Sequence, residues 1–381
     1  MKQSMETICV HGGTHGAPDA FRSITVPIYQ SAAFSHLETG HNEHGFDYTR
    51  ISNPTRAHLE ETVSALEGAA KTIAFTSGMA AIACVLELFA PGDEIVCSAD
   101  LYGGTVLLMD IVGKKNGLVF KAVDTTDEAA LTAAVTENTK AIYIETPSNP
   151  MMNVTDIRLC AELSKAVGAL LIVDNTFLSP YFQNPIALGA DISLHSGTKF
   201  LGGHNDTISG FLCMADASLG EKLHKIAYAQ GSTLSPFDSY LMIRGIKTLA
   251  VRMEHQQKSA LAIAAWLKQQ SWVTQVYYVG LPEHPGYARN ASQSRGSGSM
   301  LSFAVTDHET ALKLLKGVKV ATFAESLGGP ETLITLPALQ THRDVAPEER
   351  ERLGITDSLL RMSVGLENAD DLIADLKQAM E

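Results

Sequence analysis

The sequence predicts an α/β chain built on a mainly parallel sheet, with a smaller α+β domain at its C-terminal end. Three observations carry this. Between about Lys71 and Met214, short apolar, β-rich runs (KTIAF, EIVC, LVFKAV, AIYIE, LLIVD, DISLH and ISGFLC) alternate with helical patterns. That alternation is the signature of βαβ units, with helices on both faces of a sheet. A long helical stretch begins near Pro236 and runs through RGIKTLAVRMEHQQKSALAIAAWLKQQ; after it, strand runs (VTQVYYV, SMLSFAV, LLRMSVG) alternate with helices down to DDLIADLKQAM. Finally, 381 residues of which 45% are apolar supply one large core plus a satellite core, so two domains are expected.

Taken in chain order, the first sixty or so residues are poor in regular pattern and rich in Gly, His, Ser and Asn. They predict an extended arm leading into a helix near Arg56. Such an arm cannot bury itself and is expected to pack on a partner subunit. The expected division is therefore an arm over 1–60, a large domain over 61–250 and a small domain over 251–381. No internal repeat or low-complexity tract is visible.

Charge and cysteine usage narrow the function classes. Charged residues are 19% of the chain and the net charge is −13, with the acids spread along the sequence. A nucleic-acid binder would need a basic face, so that class is disfavoured and the charge reads as solubility. Cys9, Cys84, Cys97, Cys160 and Cys213 are widely spaced, odd in number and without paired metal-ligand spacing. They read as reduced, mostly buried thiols of a cytoplasmic protein. The segment MKQSMETICVHGG holds no apolar run of signal-peptide length, and no stretch approaches membrane-spanning length, so no membrane partner is expected.

The residues with chemical potential sit just past strand ends, where open α/β sheets place function. In HSGTKFLGGHND, Lys199 follows the run DISLH and is flanked by Ser196 and Thr198. Its amine could reach an aldehyde while the hydroxyls bind a phosphate, although a lysine after a strand is also commonly solvated. Asp174 ends LLIVD; a carboxylate there can hold a pyridinium nitrogen protonated, or simply cap a turn. In AFTSGMAAIACVLELF the chain passes through Ser77-Gly78 into an apolar helix, so the amides of Gly78 and Met79 face an anion or form a plain tight turn. Tyr102 of DLYGGT can stack on a ring or fill the core.

Together these pieces resemble the Cys/Met-metabolism family of pyridoxal-phosphate enzymes, which spans cystathionine γ-synthase, cystathionine γ- and β-lyases, methionine γ-lyase and O-acetylhomoserine sulfhydrylase. The resemblance runs from about Thr25 to LRMSVGLENADDLIADL. It is carried in order by FDYTRISNPTR, SGMAAI, DLYGGT, ETPSNP, VDNTF, HSGTKFLGGHND, PFDSYLMIRGIKTL, AESLGGPETLI and LLRMSVGLE. It implies a type I pyridoxal-phosphate-dependent transferase fold, like that of aspartate aminotransferase, with a mainly parallel seven-stranded sheet. It also implies pyridoxal 5′-phosphate as cofactor and a homo-oligomer, a tetramer with shared sites.

By the same resemblance Lys199 carries the cofactor as a Schiff base and shuttles protons, Asp174 pairs with the ring nitrogen, and Tyr102 stacks on the ring. Gly78, Met79, Ser196 and Thr198 hold the phosphate from within the subunit, and Tyr48 and Arg50 reach it from the neighbour, where a bidentate guanidinium suits phosphate. Arg361 anchors the substrate carboxylate, with Asn149 and Ser326 as helpers and Glu145 behind them. An arginine inside an apolar strand also needs a partner on charge grounds alone.

The distal end of the substrate decides the reaction. Asp47 and Glu325 stand where cystathionine-handling members carry acids, and could pair with a distal ammonium. Gly104 stands where methionine γ-lyases carry a cysteine, which disfavours that activity. Val106 and Leu107 replace the aromatic-arginine pair with which synthases and many γ-lyases continue DLYGGT, a departure that leaves room for a lyase or sulfhydrylase. The first reading is a cystathionine γ-synthase type of γ-replacement; the alternatives are a cystathionine γ- or β-lyase, then an O-acetylhomoserine sulfhydrylase. A nicotinamide dehydrogenase would need a Gly-x-Gly-x-x-Gly turn after the first strand, which is missing.

Overall fold

A computed structural model describes residues 3–12, 21–37, 39, 44–343 and 345–381. The chain forms two sheets. The larger comprises β1 (Lys71–Phe75), β2 (Glu94–Ser98), β3 (Val119–Val123), β4 (Thr139–Glu145), β5 (Leu170–Asp174), β6 (Ile192–Ser196) and β7 (Gly210–Met214), in the order β1-β7-β6-β5-β4-β2-β3. Each strand coincides with one of the seven apolar runs. Pairing is parallel from β3 through β2, β4 and β5 to β6, and β7 runs antiparallel between β6 and β1.

Both faces of this sheet are covered, which is why its strands read as continuous apolar runs instead of alternating ones. Ile73, Phe75, Ile95, Cys97, Tyr143 and Leu194 pack on one side with Ile82, Val85 and Leu86 of the helix Gly78–Leu86. The residues between them face the other way, where Val96, Ile142, Ile144 and Val173 meet Ile157 and Cys160 of the helix Ile157–Val167. On that same side Ala74, Phe211 and Cys213 meet Leu59, Val63 and Leu66 of the helix Pro54–Glu67. That last helix is fixed at its start by Asn53, whose side chain accepts from the Thr55 amide, and by Pro54 at its first turn.

The smaller sheet holds β8 (Val273–Tyr277), β9 (Met300–Val305), β10 (Thr322–Phe323), β11 (Leu333–Thr335) and β12 (Leu359–Ser363), in the order β10-β11-β12-β9-β8. Leu360 and Met362 of β12 point into a core shared with the helices Leu249–Leu267, His308–Gly317 and Ala369–Met380. Alternation along the strand turns Arg361, between them, to the opposite face.

Three features depart from the sequence expectations. A helix, Met5–His11, lies inside the segment expected to lack regular structure, and its Cys9 is buried in the main core. The expected long helix after Pro236 is two helices, Pro236–Ile246 and Leu249–Leu267. The break exposes the carbonyl of Gly245 to Arg252, a buried side chain that also donates to the carbonyl of Phe200 at 2.8 Å. One guanidinium thus ties the helix end to the loop that follows Lys199. Strands β10 and β11 were not expected, because two or three residues carry no readable period. Residues 60 and 250 lie within the helices Pro54–Glu67 and Leu249–Leu267. The latter feeds Leu249 and Met253 to the large core and Ile263 and Leu267 to the small one. Among the described residues, no helix is long and apolar enough to cross a membrane.

Candidate active site

A cavity of about 280 Å³ opens between the carboxyl ends of β4, β5 and β6 and the facing side of the small sheet. Lys199 follows β6 by three residues, so its stem leaves the sheet at the strand's end. Its Nζ donates to Ser326 Oγ at 2.9 Å. Burial, reinforced by the nearby charge of Arg361, brings its pKa down to about 8 against the opposing pull of Glu325.

Asp174 and Glu145 close β5 and β4 as direct register partners, so two carboxylates stand side by side in a buried place. They cannot both ionise cheaply. Asp174 is the better provided, since Thr176 donates to its Oδ1 from its amide at 3.0 Å and its hydroxyl at 2.5 Å. Glu145 accepts the amide of Tyr102, at 3.0 Å, and burial together with Asp174 drives its pKa well above the usual carboxylate range. Burial raises Asp174 as well, and the Thr176 bonds counter it. Glu145 is therefore the partner that keeps a proton.

The helix Gly78–Leu86 points its N-terminus at the end of β6. Ser77 caps it by accepting from Ala80, and the amides of Gly78 and Met79 precede the first intrahelical donor. A Cβ at Gly78 would lie 3.0 Å from Ser196 Cβ, a tight contact that glycine avoids as the helix end approaches the strand. Ser196 lines the cavity, and its amide donates to Thr176 Oγ1. Thr198 lines it too, with its hydroxyl bonded to both the carbonyl and the amide of Ser209. Tyr102, partly exposed, stands at the mouth.

From the opposite wall comes Arg361. Its two terminal nitrogens donate to Asn149 Oδ1 at 2.9 Å and to the carbonyl of Ser326 at 3.0 Å. Its Nε, although buried, has no hydrogen-bond partner among the described residues. Burial lowers its pKa to about 10, which still leaves it charged at neutral pH. Glu325 lines the same cavity. Ser326 has φ 90°, a conformation costly for a side-chain-bearing residue, and Gly328 follows at φ 81°. A Cβ at Gly328 would come within 2.6 Å of the Phe200 amide nitrogen, so this loop presses directly on the Lys199 segment.

Of the residues singled out in the sequence, the cavity thus gathers Lys199, Asp174, Tyr102, Gly78, Met79, Ser196, Thr198, Glu145, Asn149, Glu325, Ser326 and Arg361. It does not gather Asp47, Tyr48 or Arg50. Asp47 pairs with His36 at 3.0 Å, and the Arg50 guanidinium lies over the rings of Tyr48 and Tyr228 and donates to the Tyr228 carbonyl. Sequence reasoning passed over Thr176, Phe177, Ile208 and Thr341, which also line the cavity. Thr176 had a local signal, because a hydroxyl two residues after a strand-end aspartate closes onto that carboxylate. For Phe177, Ile208 and Thr341 no local pattern points inward.

The model of the Cys/Met metabolism PLP-dependent enzyme family matches residues 6–381. The chain belongs to this family. It is accordingly an enzyme that uses pyridoxal 5′-phosphate, on the type I fold of that family. It is 45% identical over 376 residues to a cystathionine gamma-lyase of Bacillus subtilis, covering 99% of both chains. It is 44% identical over 378 residues to a cystathionine beta-lyase of Lactococcus lactis subsp. cremoris, again covering 99% of both. Its fold superposes with a TM-score of 0.97 on a cystathionine gamma synthase from Xanthomonas oryzae pv. oryzae in complex with aminoacrylate and cysteine, at 41% identity, covering 100% of this chain and 98% of that one. The donor set fits the family's cofactor: one cavity combines a buried amine of lowered pKa, a hydrogen-bonded carboxylate and a helix N-terminus that glycine brings close.

Proposed function

We propose that this family member replaces the γ-substituent of an O-acylated homoserine with cysteine, the cystathionine γ-synthase reaction. One observation carries the reading: Arg361, with its unpaired Nε–H, and the carboxylate of Glu325 line the same cavity as Lys199 Nζ. A guanidinium suits the α-carboxylate of one amino acid, and a carboxylate suits the ammonium of a second.

When bound, pyridoxal phosphate supplies an electron sink for the pair released as the substrate's Cα–H bond breaks. The chain supplies the rest. Lys199, with an amine pKa brought down to about 8, is a base near neutral pH that takes the Cα proton and delivers protons farther along the substrate. Asp174, helped toward its ionised form by Thr176, would face the ring nitrogen of the bound cofactor and favour its protonated form. Glu145, protonated, adds no second negative charge beside it. Gly78, Met79, Ser196 and Thr198 would hold the phosphate, and Tyr102 would offer an aromatic face. Arg361, steadied by Asn149 and Ser326, orients the substrate by its α-carboxylate.

In the same proposal the N-terminal segment acts on a neighbouring subunit, in a homotetramer in the cytoplasm. There Tyr48 and Arg50 reach the phosphate, and Asp47 joins Glu325 at the far end of the substrate. The division into an arm over 1–60, a large domain over 61–250 and a small domain over 251–381 belongs to this reading. A second reading is a cystathionine lyase, favoured by Val106 and Leu107 at the start of the helix Gly103–Asn116, where the replaced arginine would stand. Purified enzyme offered O-acetyl- or O-succinylhomoserine with cysteine, and separately cystathionine alone, distinguishes them. Cystathionine formation in the first assay supports the proposal. Rapid release of a 2-oxo acid in the second without product in the first transfers it to the lyase.

A further inference from the structure

His342 belongs to no part of the reading above, yet it stands one bond behind the carboxylate anchor. It is 2% exposed, and its Nε2 lies 3.1 Å from the carbonyl oxygen of Asn149. A carbonyl only accepts, so Nε2 carries the hydrogen. Burial next to Arg361 and Arg350 lowers the pKa of His342 to about 4, so the ring is neutral and Nδ1 is an acceptor. Nδ1 then takes the hydroxyl hydrogen of Thr341, at 2.9 Å. A directed chain results: Thr341 donates to His342, His342 to the Asn149 main chain, and Arg361 to the Asn149 side chain at 2.9 Å.

The same corner is locked from the other sides. The His342 amide donates to the Pro337 carbonyl, and the Thr341 carbonyl lies 2.7 Å from where a Cβ on Gly103 would sit, so it packs on the turn that carries Tyr102. The loop bearing Asn149 is held at Ser148 and Asn153 by Asp100. Between these fixed points, His342 holds the main-chain carbonyl of the residue whose side-chain oxygen receives Arg361.

We propose that His342 is a positioning residue that sets selectivity for the substrate's α-carboxylate, acting through Asn149 on Arg361. The inference rests on the reading that Arg361 takes that carboxylate. It is tested on the cofactor-loaded enzyme by following the visible spectrum during titration with L-alanine and, separately, with ethylamine, which lacks the carboxylate. His342→Leu is expected to weaken alanine binding about tenfold, the loss of one buried hydrogen-bonded link, and to leave ethylamine within about twofold. His342→Gln, which keeps a donor near Nε2, is expected to restore alanine binding to within about threefold. Should His342→Leu fail to take up cofactor, His342→Phe, which keeps a ring of similar bulk and no donor, reads the same link at about tenfold, again for alanine only.

Equal weakening of both ligands makes His342 a general packing residue and overturns the proposal, as does no change in either. Arg361→Met is the control for the underlying reading. If it fails to separate alanine from ethylamine, the carboxylate assignment itself falls, and that outcome is distinct from a failure at His342.

Discussion

On the large-sheet wall of the cavity, Lys199, Asp174 and Glu145 each sit at or within three residues of the carboxyl end of a parallel strand, and burial shifts their protonation, opposed at the two carboxylates by hydrogen bonds from Thr176 and Tyr102. On the small-sheet wall, Arg361 sits in the middle of β12, and Glu325 and Ser326 occupy a loop whose backbone enters the left-handed region. The first wall is assembled by the regular geometry of the sheet, so its functional groups need little local distortion. The second is assembled by contact, and its groups are placed only because strained backbone and a buried guanidinium are held against the Lys199 loop. On the proposed reading chemistry falls to the first wall and recognition to the second, and the bond from Lys199 Nζ to Ser326 Oγ joins the two.

That contrast can be broken by substitution. Lys199→Ala is expected to lower turnover by roughly 10³-fold or more, the scale of losing a general base, while thermal unfolding stays near wild type because a buried amine contributes little stability. The corresponding titration has a definite sign. The neutral amine is the nucleophile, so acylation of Lys199 in cofactor-free protein should rise with a midpoint of about pH 8, below that of surface lysines. A midpoint above pH 10 would contradict the burial described here. Arg361→Met should raise KM by about 100-fold with a much smaller change in kcat, since on the proposed reading the lost contact is a charge-assisted one to bound substrate. An equal fall in kcat would place chemistry on the recognition wall. Gly328→Ala, at positive φ and 2.6 Å from the Phe200 nitrogen, should cost about 2 kcal/mol in denaturant unfolding and loosen both walls together.

The same contrast explains what could be read without a structure. Lys199, Asp174 and the Gly78 turn stand out because strand-end positions are visible in sequence as the last residue of an apolar run. Arg361 is legible for the opposite reason, as a charge inside an apolar strand that demands a partner. His342 and Thr341 carry no such mark, since their significance depends on the Asn149 loop, which is distant in sequence and adjacent only in space. The helix Met5–His11 and strands β10 and β11 are too short for periodicity to separate them from loop, and the interruption at Lys247–Thr248 lies within an unbroken apolar pattern. Tyr48, Arg50 and Asp47 were read from family resemblance alone. Within one chain they meet His36 and Tyr228 instead of the cavity.

The strand order of the large sheet bears on how the chain is made. Strand β1, at the sheet's edge, has β7 as its neighbouring strand, so that Lys71 finds its register partner in Met214, and Phe75 also bridges to Thr233. As the polypeptide emerges from the ribosome, Lys71–Phe75 must wait for Gly210–Met214 before it is seated, and closing so long a loop slows that step. Nascent fragments that stop short of residue 210 leave β1 without its neighbour, and an unpaired apolar strand favours aggregation.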